Sequence, residues 1–190
     1  MFLPHVIEKT GRSTKPMDII SRLLQDRIIY IGDLIDKELS NSVIMQMLWL
    51  NADDPEKPIN LYINSLGGVI YDGLAIKDIM YNLDCKVNTV GIGVCASMGA
   101  YLLASGTGTR KCTENCRIMI HSVQGGMEGH FQLIQDTYEE TQHLQNTMRD
   151  HLLEFCKGKT GIAEMSEIMK RDKYIGYKKA IEIGLVDGVV

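Results

Sequence analysis

Short apolar runs alternate along this chain with stretches of helical spacing, and no other feature narrows its fold as far. Arg27–Ile31 (RIIYI), Ile59–Asn64 (INLYIN) and Val87–Val94 (VNTVGIGV) are strand-length and rich in β-branched residues. Between them lie Asp36–Asn51, where Leu39, Val43, Met47 and Leu50 share one helical face, and Ile70–Asn82. A helix between two strands returns the chain to the same end of the sheet, so the strands run parallel. The expectation is an α/β domain on a parallel sheet. Farther along, Met98–Ala104 starts a buried helix, and Thr109–Thr113 and Arg117–His121 read as short strands. Ile162–Asp172 and Tyr177–Ile183 read as short helices, and Leu185–Val190 as a last strand.

Two segments stand outside that rhythm. Residues 1–20 are punctuated by Pro, Gly and Ser without a firm period and read as an arm or loop, which leaves 21–190 as one domain. Phe131–Cys156 is a single long helical pattern following the Gly125–Gly129 link. Its Ile134, Tyr138, Thr141, Leu144, Met148, Leu152 and Phe155 form a narrow stripe at near-heptad spacing. Such a stripe packs against another helix, commonly that of a second subunit.

Composition removes several function classes. The net charge is −4 and there is no basic tract, so nothing asks for nucleic acid. No run reaches the length of a membrane span, and MFLPHVIEKTGRS lacks the apolar core of a signal peptide. Five Cys without a secretory signal read as free thiols of a cytoplasmic protein. Cys112-x3-Cys116 has no second pair at ligand spacing, so no metal is expected. The 11 Met suit an irregular core and a subunit interface.

Three positions at strand ends can carry chemistry, because α/β folds place their sites there. Ser97 lies where a strand feeds a helix, in CASMG. It is either the N-cap of that helix or a nucleophile beside free backbone N–H groups that hold an oxyanion. The first glycine of G-x-S-x-G is missing, which disfavours an α/β-hydrolase elbow. Ser65-Leu66-Gly67-Gly68 is a plain tight turn or a backbone cradle for a ligand. His121, ending RIMIH, is a structural histidine or a general base. A base needs a carboxylate to orient it, and Asp72, Asp78, Asp136, Asp172 and Asp187 all remain candidates.

Together these pieces resemble the Clp protease proteolytic subunit family, ClpP. The matching stretches are SRLLQDRIIYIG, DDPEKPINLYINSLGG, ASMGAYLLASG, RIMIH followed by Gly-Gly, and RDKY before GLVD. The resemblance implies a serine endopeptidase with a crotonase-like α/β spiral and a long protruding handle helix at about 131–156. It implies a tetradecamer of two stacked seven-subunit rings that degrades unfolded polypeptides in protein quality control. The chain itself would need no cofactor, and ATP would be used by a partner AAA+ ATPase. Carried over by motif, Ser97 is the nucleophile, His121 the base and Asp172 the residue that orients it. The oxyanion donors are the N–H groups of Gly68 and Met98, and Gly125-Gly126 lie beside the strand that pairs with substrate. Pro4, Val6, Ile7, Glu8 and Thr10 match the family's mature start, so a long leader is not expected, and residues 1–20 would form axial loops at the pore.

The chain also departs from the family pattern. Leu66 and Val123 stand where proline is usual, and Ser122 where glutamine is usual. Lys170 replaces an acidic residue that pairs across the ring interface, and Asn82 and Lys111 replace aromatics that receive ATPase loops. These departures suit a divergent paralogue working in mixed rings with a second ClpP-type subunit. The competing readings are a weakly active structural ring subunit and a crotonase-type acyl-CoA enzyme.

Overall fold

The computed structural model describes residues 4–10 and 13–190. The chain opens with β1 (His5–Thr10) and β2 (Ser13–Asp18), then α1 (Ile19–Gln25), β3 (Ile28–Ile31) and α2 (Lys37–Asp53). β4 (Ile59–Ser65), α3 (Ile70–Asn82), β5 (Val87–Ala96) and α4 (Met98–Ala104) follow. β6 (Arg110–Cys112) and β7 (Arg117–Met119) precede the long α5 (Phe131–Phe155). The chain closes with α6 (Ile162–Met169), α7 (Tyr177–Glu182) and β8 (Gly188–Val189). The main sheet runs β3-β4-β5-β6-β8, with β7 paired to β5, and every pairing in it is parallel.

The alternation expected of INLYIN becomes burial: Ile59, Leu61 and Ile63 are fully buried while Asn60, Tyr62 and Asn64 between them are partly covered. Each such aliphatic side chain stabilises the fold by about 1.5–3 kcal/mol. α2 starts where Asp36 accepts the Leu39 N–H, and it buries Ser40, Val43, Met47 and Leu50. Capping of this kind contributes roughly 1 kcal/mol. α4 is buried on all sides, as a helix without a polar face must be.

β5 decides where the site lies. Its first part pairs with β6 through Thr89–Gly91, and its last part pairs with β7 through Val94–Ala96. The strand changes direction between them at Gly93, whose φ of 59° a residue with a Cβ adopts only at a cost. Asn64 Oδ1 accepts the Val94 N–H at 3.1 Å and fixes the bend. One strand thus serves two neighbours on the same edge, and its end is delivered to β7 rather than β6.

α5 has two unlike halves. Leu144, Met148, Leu152 and Phe155 are buried against the domain. Phe131 is 80% exposed, and Leu133, Ile134 and Tyr138 are also open, so the stripe outruns the core of its own chain.

Several elements differ from the sequence expectation. The region expected as an arm or loop holds an antiparallel hairpin, with Val6 opposite Met17, and α1 runs through the expected boundary at 20/21. Ile7 in β1 is 70% exposed, and its strand carries no apolar period that announces it. Residues 1–3 and 11–12 of that expected arm lie outside the described residues. β7 stops at Met119, two residues before His121, and β8 is two residues long. α6 ends at Met169, so Asp172 lies in a loop and not in the expected helix. The Ile118–Ile175 bridge draws that loop back onto β7, which a continuing helix would prevent. Among the described residues, no helix is long and apolar enough to cross a membrane.

Candidate active site

Ser97 is the first residue past β5. Its N–H donates to the Met119 carbonyl at 2.8 Å, and its carbonyl accepts the Tyr101 N–H. It sits at φ 52°, ψ −120°, a conformation that costs a non-glycine residue about 1–3 kcal/mol and persists only where surroundings enforce it. The side chain makes no capping bond to α4. Its Oγ lies 2.8 Å from His121 Nε2. The hydroxyl is thus spent on His121 and not on a cap.

Two backbone attachments place His121 against Asp172. Ile118 and Ile175 exchange both N–H···O bonds, at 3.0 and 2.7 Å, three residues before the histidine and three after the aspartate. On the other side the Ser122 N–H donates to the Met169 carbonyl at 2.7 Å, and the Ser122 hydroxyl to the same oxygen at 3.0 Å. Held between them, His121 Nδ1 lies 3.1 Å from Asp172 Oδ1. Of the five candidate aspartates, Asp172 is the one on the imidazole; Asp187 is committed to Arg110. The imidazole is mostly enclosed, whereas the Asp172 side chain is 59% exposed.

The glycine turn after β4 completes the site. Ile35 bridges Gly68 in parallel fashion, its N–H on the Gly67 carbonyl and its carbonyl on the Val69 N–H, both at 2.8 Å. That pattern turns the N–H of Gly68 itself to the side away from Ile35. The Met98 N–H is the first of α4, beyond reach of any intrahelical carbonyl. Gly68, Ser97, Met98 and His121 line one cleft of about 160 Å³. Gly67 must be glycine: φ is 104°, and a Cβ would stand 2.7 Å from that of Ser97. The turn lacks the proline usual at Leu66, which is 60% exposed, yet it is held from within. Buried Ser65 donates its hydroxyl to the Asp33 carbonyl at 2.6 Å and accepts the Gly67 N–H at 3.1 Å. Ser65, the first residue of the expected turn, is thus its internal brace, a role signalled in the sequence only by a polar residue at a strand's inward register.

Apolar side chains from four elements wall the cleft, among them Ile70, Met148, Leu152 and Met169. Tyr101, also in the wall, is fully buried apart from its contact with His151 at 2.7 Å. Burial keeps the Tyr101 phenol well above its ordinary value and, with Lys77 nearby, holds His151 below its own. Beyond the cleft, Gly125 and Gly126 border a wider groove, where an added Cβ would meet nothing within 4 Å. Gln124, Gly125 and Gly126 make no main-chain hydrogen bond among the described residues, so their backbone N–H and C=O groups stand open there. All five cysteines are free and buried, and no cluster of metal-ligating side chains occurs among the described residues.

A parallel α/β sheet that turns a serine hydroxyl onto an enclosed histidine, beside outward-facing N–H groups, defines the class of serine hydrolases. The model of one family, Clp protease, matches residues 11–190. ATP-dependent Clp protease proteolytic subunit 2 of Chlamydia pneumoniae is 45% identical over 99% of this chain and 92% of its own length. Proteolytic subunit 2 of Parasynechococcus marenigrum (strain WH8102) and proteolytic subunit 1 of Synechococcus sp. (strain CC9902) are each 41% identical over 99% of this chain and 95% of their own. The chain belongs to the Clp protease family and is a serine endopeptidase of the ClpP type.

Proposed function

We propose that Ser97, His121 and Asp172 form the catalytic triad of this peptidase. The observation that carries the reading is the 2.8 Å contact between Ser97 Oγ and His121 Nε2, made by a serine that declines to cap its helix. His121 takes the hydroxyl proton as Oγ attacks the peptide carbonyl. Negative charge develops on the carbonyl oxygen, and the N–H groups of Gly68 and Met98 receive it. The imidazolium returns its proton to the departing amine, leaving an acyl-serine. Water, deprotonated by the same imidazole, then releases the acid and restores the hydroxyl. Asp172 keeps Nδ1 protonated so that Nε2 faces the serine.

Substrate lies in the groove as an extended strand along Gly125-Gly126, where main-chain pairing reads no side chain. This suits unfolded polypeptides of many sequences. The exposed apolar front half of α5 supports self-association into stacked seven-subunit rings, with the hairpin at residues 5–18 in the axial arm that precedes the peptidase domain. The names of the relatives support an ATP-dependent assembly, in which a Clp-family AAA+ ATPase delivers substrate. Lys170 pairs with Glu167 of its own chain at 2.7 Å, which favours a partner subunit that supplies a different interface, namely a second ClpP-type chain. The test is hydrolysis of a short fluorogenic peptide by the purified chain beside Ser97→Ala, with particle size read in the same buffer. Serine-dependent turnover by a double ring supports the reading. Turnover that survives Ser97→Ala sinks it.

A further inference from the structure

The segment that follows His121 is held by a side chain no motif singles out. The Val123 N–H donates to Gln145 Oε1 of α5 at 2.7 Å. This bond exists only because the chain departs from the family: at the usual proline there is no N–H to give. Proline would restrict this position through its own ring. Valine does not, and leaves φ free over the broad extended region.

We propose that Gln145 is a positioning residue for the catalytic histidine, fixing by a hydrogen bond what proline fixes covalently. The inference rests on the reading of His121 as the base. Val123 is two residues past His121, and Ser122 between them is already anchored twice on the Met169 carbonyl. Ser122 therefore sets the loop's distance from α6, and Gln145 sets its distance from α5. Without the second anchor, the chain from Val123 to Gly126 is free to swing about Ser122. Val123 and Gln124 line the cleft beside Ser97, and Gly125-Gly126 border the groove where the peptide pairs. Loss of the anchor thus disturbs both the imidazole and the substrate edge. Gln145 is half-buried one residue from Leu144, so it reaches Val123 from a part of α5 that the core already immobilises.

The proposal predicts a pattern that plain destabilisation does not. Gln145→Leu removes the acceptor at similar size and lowers kcat for a short peptide about fivefold, the scale of one neutral hydrogen bond. Gln145→Glu keeps an acceptor oxygen and restores kcat. In a Val123→Pro background the donor is gone, so Gln145→Leu changes kcat by less than about twofold, the limit for uncoupled sites. Hydrogen exchange gives a reading independent of turnover: the amides of Ser122 and Val123, which are hydrogen-bonded, exchange faster in Gln145→Leu and not in Gln145→Glu. Equal losses in the native and Val123→Pro backgrounds, or unchanged exchange at both amides, overturn the proposal. If turnover is present and survives Ser97→Ala, it is the triad reading that fails, and the exchange data still decide whether the tether exists.

Discussion

The two sides of the active site are built in opposite ways. On the side of the proposed nucleophile, Ser97 is gripped by β5, β7 and a helix buried on every face, and its strained backbone has nowhere to relax. On the acid side, Asp172 rides a loop, 59% exposed, and reaches His121 through one 3.1 Å contact. The contrast teaches where precision is required. Attack demands a hydroxyl fixed within tenths of an ångström, which only packing supplies. Orienting a ring demands one hydrogen bond, and backbone attachments at Ile118–Ile175 and Ser122–Met169 are enough to present it.

Variants that break one side at a time measure this difference. The largest effect belongs to Ser97→Ala and His121→Ala, which should each lower kcat by at least about 10³-fold in a fluorogenic peptide assay. His121→Ala should also abolish rapid labelling of Ser97 by a fluorophosphonate. Asp172→Asn should cost less, roughly 10²- to 10³-fold in kcat, because water at an exposed position replaces part of what a buried aspartate gives. Its melting temperature should stay within about 2 °C of the native chain, since an exposed pair contributes little to stability.

Ser65→Ala sharpens the comparison from the buried side. It strands the Gly67 N–H and the Asp33 carbonyl, a loss of about 1–3 kcal/mol. We expect a melting temperature lower by several degrees together with a roughly tenfold fall in kcat, where Asp172→Asn loses activity alone. A Ser65→Ala enzyme with native kcat would show that the oxyanion turn needs no internal brace.

The smallest effect is a pH dependence under the nucleophile's helix. Burial holds His151 below its ordinary value of 6.5, so the folded chain prefers the neutral ring. A depressed value contributes stability that is complete above 6.5 and is lost as pH falls through the lower, folded value. The melting temperature should therefore drop on acidification from about pH 7 towards about 5.5. His151→Gln keeps an acceptor for Tyr101 and should flatten that slope. An unchanged slope would place the titration elsewhere.

Local patterns carried much of this molecule. β3, α2, β4 and α3 lie within a few residues of where periodicity expects them, because each has a buried face that repeats at its own period, and β5 and α4 do so because each is a run of small and apolar residues. The long helix was equally plain, and its stripe correctly outran what one chain can bury. The β1–β2 hairpin and α1 were not legible, since residues 1–20 carry no firm apolar period and α1 buries no residue fully. Within the site, Ser97 and His121 were visible as candidates, yet their residue types left cap and nucleophile, structural ring and base, undecided. The tertiary structure brings the two side chains into contact, which supports the nucleophile and base readings. Ser97 meets His121 across 24 residues and His121 meets Asp172 across 51, separations at which no local period carries information. Ser65 and Gln145 have roles only because backbone groups from distant segments arrive at their oxygens. Sequence alone determined which elements form and which residues can do chemistry, because both depend on near neighbours. Which of those residues meet was left to the bend in β5 and the early end of α6, where long-range pairing overrides local preference.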